Sequence, residues 1–109
     1  MKDISSSKVA QIILMGRELH RAEGEMRAFI DGLNEDEAVA LVAIMWIGRG
    51  SFDAEEWDEA VATAKQEAST PTADYLIGTP HLPDHLENGM EALGVAVADA
   101  EDDLMMRGS

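Results

Sequence analysis

The sequence predicts an all-α protein, a compact orthogonal bundle of four to five helices followed by a disordered acidic C-terminal tail. Three observations carry this expectation. No run of alternating β-branched residues marks a strand. Apolar residues recur at three- and four-residue spacing through most of the chain. Ala38 to Ile47 is apolar without interruption, and a helix with no polar face belongs in the middle of a bundle. The chain of 109 residues is 46% apolar and has no cysteine, so a single packed domain over 1–94 is expected without disulfides or thiolate metal sites.

Taken in order, Val9, Ile12, Ile13, Gly16 and Leu19 share one helical stripe, and Ser6 or Ser7 suits its cap. The stripe continues in phase through Met26, Phe29, Ile30 and Leu33. Gly24 is the expected interruption, a single long helix over 6–33 being the alternative. Asn34 then takes the N-cap position and Glu37 the third helical position, a capping box. Glu35, Asp36 and Glu37 lie where the helix dipole favours anions. The all-apolar segment follows and stops at Gly48, with Gly50 as the second candidate for a left-handed cap.

"SFDAEEW" opens the next helix, with Asp53 as cap, Glu56 three residues on, and Phe52 and Trp57 placed as a hydrophobic staple. Trp57, Ala60, Val61, Ala64 and Ala68 make its buried stripe. Thr70 as cap, Pro71 at the first position and Gly78 as stop define a short helix. Thr79 and Pro80 start the last helix, or Pro83 does, and Leu82, Leu86, Met90 and Leu93 share its face. Gly94 ends it, with Val95 folding back on Met90. Residues 95–109 read as an acidic flexible tail.

The net charge is −14, all of it from residue 34 onward, where seventeen acids face Arg49, Lys65 and Arg107. Such a surface repels phosphate backbones, so no direct nucleic-acid binding is expected. A basic protein partner is compatible with it. The longest apolar run is about half of what spans a bilayer, so no membrane insertion is expected. With no leader signal and no cysteine, the expected compartment is the cytoplasm.

"MWIGRGSFDAEEW" poses the main chemical question. Phosphate-binding glycine loops follow a strand and offer several amides to the anion. Here the glycines follow a helix, and Asp53, Glu55 and Glu56 stand where an anion would sit. Gly48-Arg49-Gly50 is therefore read as a joint between helices. Arg49 is expected to bridge Asp53, Glu56 or Asp74, or else to anchor a carboxylate through its planar fork. Trp46 is expected in the core and Tyr75 with its hydroxyl hydrogen-bonded; exposed, either would anchor a partner. His81 and His85 have the spacing of a metal pair, but Pro83 lies between them and no third ligand is evident. No cofactor is implied, and no nucleophile elbow or dinucleotide fingerprint occurs.

Three segments, "WIGRGSFDAEEWDEA", "PTADYLIGTP" and "LENGMEALG", resemble the bacterial domain-of-unknown-function family DUF 3775, in the family's order, with "LNEDEAVALVAIMWIGRG" fitting its preceding helix. The resemblance runs over roughly 33–94 and takes in the first helix. It implies a small helical bacterial domain and carries no activity. "HLPDH" departs from the family's apolar or aromatic residues, so the histidines receive no role from it. The expected function is a non-enzymatic protein-interaction or regulatory module, with a protein partner or a second copy of the chain. Two alternatives are a small-molecule, anion-binding or enzymatic site around Arg49, Asp53, Asp74 and Tyr75, and an acidic mimic that engages a basic nucleic-acid-binding protein.

Overall fold

The computed structural model describes residues 3–67 and 70–95. Among these residues there are six α-helices and one 3-10 turn: α1 (Ser6–Arg17), α2 (Leu19–Asp31), α3 (Glu35–Arg49), the turn Ala54–Glu56, α4 (Trp57–Gln66), α5 (Thr72–Ile77) and α6 (Leu82–Ala92). No strand occurs among the described residues, so the expected all-α class holds. None of these helices is long and apolar enough to cross a membrane. The tail expected beyond Val95 lies outside the described residues, as does Ala68 of the α4 stripe.

The apolar segment takes the central place expected of it. Every residue from Val39 to Ile47 is buried, none more than 8% exposed. Its most extensive neighbour is α6, and α4 packs on it as well. Two glycines set the α3–α6 distance. A Cβ on Gly48 would lie 1.6 Å from the His85 carbonyl oxygen, and one on Gly89 2.1 Å from that of Ile44. The pairing of 44 with 89 and 48 with 85 fixes an antiparallel crossing in which backbone meets backbone. Gly48 therefore does not stop α3. The helix runs on to Arg49, and Gly50 caps it at φ +90°, with the Ser51 amide donating to the Trp46 carbonyl and the Gly50 amide to that of Ile47.

The first stripe divides into two helices, which raises the count to six from the expected four or five. The break falls at Glu18 (φ −110°, ψ 34°), not at Gly24. Gly24 is exposed in the middle of α2, and a Cβ there would meet nothing within 4 Å. A solvent-facing glycine costs a helix only about 1 kcal/mol, too little to break one held by packing. The bend at Glu18 instead serves packing on both sides. It lets Gly16 receive Pro83 of α6, whose Cγ would lie 2.9 Å from a Cβ at position 16. It also turns Met26 and Ile30 into the core beside Val9, Ile12 and Ile13.

Several helix ends differ from the expected ones by a residue or two. Ser5, not Ser6 or Ser7, caps α1 by accepting from the Lys8 amide. Pro71, not Thr70, precedes the first residue of α5. The last helix starts at Leu82 with Pro83 in its first turn, after His81 in the left-handed region at φ 59°. Asp53 and Glu56 head the 3-10 turn, so α4 begins at Trp57, four residues past the expected cap, and Phe52 stacks on Trp46 where a staple to Trp57 is expected. The other cap contacts match the expectation. Asn34 and Glu37 form the reciprocal capping box, Glu56 accepts from the Asp53 amide, and Val95 donates back to the Met90 carbonyl beyond Gly94 at φ +85°.

Candidate functional site

On α3, Val39, Val42 and Trp46 recur at helical spacing on one side. Ala60 and Ala64 of α4, small and buried, face the bundle opposite. Small residues on one wall and a short α5 on another leave a cleft of about 150 Å³. Its lining includes Val39, Val42, Trp46, Ala64, Glu67, Thr72 and Tyr75.

The polar groups at the cleft are arranged in a definite order. The Trp46 indole N–H donates to the Tyr75 hydroxyl oxygen at 2.9 Å. Phe52 stacks on the Trp46 ring, with centroids 5.8 Å apart and planes 29° apart. Trp46 is thereby held at 6% exposure, its one donor satisfied, as a buried indole requires. The Thr72 hydroxyl has no hydrogen-bond partner among the described residues. Among the described residues Glu67 supplies the one charge in the lining.

Of the residues singled out in the sequence, Trp46 and Tyr75 are thus joined directly. Arg49, Asp53 and Asp74 have other partners. Arg49 is exposed, and its Nε donates to Ser51 Oγ at 3.1 Å. Among the described residues it forms no ion pair with Asp53, Glu56 or Asp74. Asp53 lies exposed at the head of the 3-10 turn, its amide 2.8 Å from Glu56 Oε1. Asp74 accepts from Arg27 across the α2–α5 contact. The hydrogen bond to Asp74, more than its charge, raises the Arg27 guanidinium above its ordinary value. Glu37 is held below the ordinary carboxylate range, first by the hydrogen bond from Lys8 and then by the Asn34 amide. The Lys8–Glu37 pair is part-buried, with the Glu37 side chain 13% exposed, and neither pair lines the cleft.

His81 and His85 sit at the start of α6, where the His85 amide donates to the His81 carbonyl. The described residues contain no group of three or more side chains placed to hold a metal. A second hollow, of about 260 Å³, lies at the α1–α2 elbow, walled by Leu19, Met26, Ile77, Pro80 and Pro83.

Reading the sequence for chemistry missed Val39, Val42, Ala64, Glu67 and Thr72. Their signal was geometric: a Val-Val-Trp stripe on the central helix facing a stripe of alanines. Periodicity assigns both stripes to the core. It does not reveal that the two walls stand apart.

The fold and the site define a small all-α domain whose cleft, among the described residues, is apolar apart from the Glu67 carboxylate and the hydroxyls of Thr70, Thr72 and Tyr75. The chain belongs to the family described as "Protein of unknown function (DUF3775)", whose model matches residues 23–95. No curated protein and no solved structure matches it. The matched segment starts inside α2, so α1 precedes it.

Proposed function

We propose that this protein is a non-enzymatic interaction module and that its partner is another protein, bound at the α3–α4–α5 cleft. The observation that carries this reading is the size and lining of the cleft. Small-molecule sites usually occupy about 300–1,000 Å³; a hollow of about 150 Å³ suits one side chain inserted from a neighbouring surface. Catalytic carboxylates would need an apolar setting that shifts their proton affinity. The two resolved shifts, at Arg27 and Glu37, belong instead to ion pairs between helices whose members do not line the cleft. Trp46 is too buried to be an anchor itself, but with the half-buried Tyr75 it gives the cleft a rigid aromatic wall against which an inserted side chain can pack.

Photo-crosslinking in the producing cells tests the reading. A photoreactive residue at position 67 or 38, both on the cleft lining, is expected to give a discrete protein adduct. The same residue at exposed position 91 on α6 is expected not to. Identical adducts from all three positions, or none, would overturn the proposal.

A further inference from the structure

We infer that the cleft's occupant is a basic segment presenting one large aliphatic side chain, an identification that rests on the interaction reading above. The apolar part follows from the lining. Val39, Val42, Trp46 and Ala64 offer an aliphatic and aromatic surface, and an aliphatic side chain seated against it is withdrawn from water. The Thr72 hydroxyl at the edge can donate to a carbonyl of the incoming chain.

The basic part follows from the charges around that lining. No lysine or arginine among the described residues lines the cleft, whereas Glu67 does. Glu35, exposed, continues the Val39–Val42–Trp46 stripe one turn earlier. On the other wall Glu67 stands exposed at the rim; the other acids of the span, from Asp53 to Glu59, lie outside the lining and add only to the long-range negative field. A cationic segment is steered towards such a rim and an acidic one repelled. The capping roles of Glu37 and Glu56 and the first-turn positions of Glu35, Asp58 and Glu59 account for the acids near the helix starts; Glu67, past the last turn of α4, has no such structural assignment.

The test uses the full chain with three synthetic amphipathic twelve-residue peptides as probes: one of lysine and leucine at helical spacing, one with alanine for leucine, one with glutamate for lysine. Isotope-labelled protein is titrated with each and the amide and indole signals followed. The lysine–leucine peptide is expected to move the Trp46 indole and the Val39, Val42 and Thr72 amides. Alanine for leucine is expected to weaken binding about tenfold or more, corresponding to ~1.4 kcal/mol, and the glutamate peptide to leave the spectrum unchanged. Glu67→Lys is expected to weaken the lysine–leucine peptide by roughly tenfold, and Ala38→Phe, which fills the cleft from a half-buried helical position, to abolish the cleft shifts. Glu91→Lys, remote on α6, should change affinity less than about twofold. Thermal unfolding of each variant confirms that it is folded.

Shifts scattered over all acidic surfaces, with Glu67→Lys and Glu91→Lys equally weakened, would overturn the inference. So would alanine and leucine peptides binding alike. A cleft-specific cross-link to an acidic or neutral segment would sink the basic occupant and leave the interaction reading standing; absence of any cleft-specific cross-link removes both.

Discussion

A methyl group at position 48 would lie 1.6 Å from the His85 carbonyl oxygen, while at position 24 it would meet nothing within 4 Å. The two glycines therefore do opposite things. At Gly24 the chain carries only the entropic cost of glycine in an exposed helix, so Gly24→Ala is expected to stabilise by about 0.5–1 kcal/mol. At Gly48 the added methyl must push two helix backbones apart, and Gly48→Ala is expected to destabilise by about 3 kcal/mol. Urea unfolding of the pair measures both, and a Gly48→Ala protein as stable as wild type would mean that α3 and α6 do not cross as described. Tyr75 is the third position with a definite role. Tyr75→Phe keeps the ring and leaves the Trp46 indole without its acceptor. Part-burial puts the expected cost at about 1 kcal/mol, read by the same unfolding curves and by a change in tryptophan emission.

Helix ends were legible in the sequence where both partners of the cap lie within one turn, as in the Asn34–Glu37 box. Asn34→Ala is expected to cost about 1 kcal/mol. Glu37 also carries a longer link: Lys8 of α1, twenty-nine positions away, donates to it. Because that bond holds the Glu37 carboxyl below its ordinary range, its stabilisation is complete above the unfolded carboxylate value. It is lost as the pH falls through the lower folded value. The stability gap between wild type and Lys8→Gln should therefore be present at neutral pH and close in acid; a gap unchanged at low pH would contradict the pairing. The ends that were not legible depend on distant partners. Glu18 breaks the first stripe where α1 must leave room for Pro83, and Gly48 reads as a helix stop until His85 and Gly89 are known to lie against it. The cleft was hidden for the same reason. Trp46 and Tyr75 stood out as aromatic residues, but no local signal told that they meet each other or that Asp74, forty-seven positions from Arg27, turns to it.

At the scale of the whole molecule, the family match and the packing divide the chain differently. The matched segment begins at residue 23, yet α1 lies wholly before it and supplies Val9, Ile12 and Ile13, all 0% exposed. They cover α6 and α2, and Gly16 seats Pro83. Full burial of an aliphatic side chain contributes about 1.5–3 kcal/mol, so removing these three withdraws roughly 5–9 kcal/mol, against a total stability of about 5–15 kcal/mol for ordinary domains. Loss of α1 would also uncover Met26, whose Cε lies 3.7 Å from a Cβ at Gly16 and which is now shut away from solvent. A chain beginning at residue 18 is therefore expected to lose its cooperative thermal transition, and Ile12→Ala alone to cost about 2–5 kcal/mol. Calorimetry distinguishes the outcomes. A truncated chain that melts cooperatively near the wild-type midpoint would show that the matched segment is a complete folding unit and that α1 is an appendage to it.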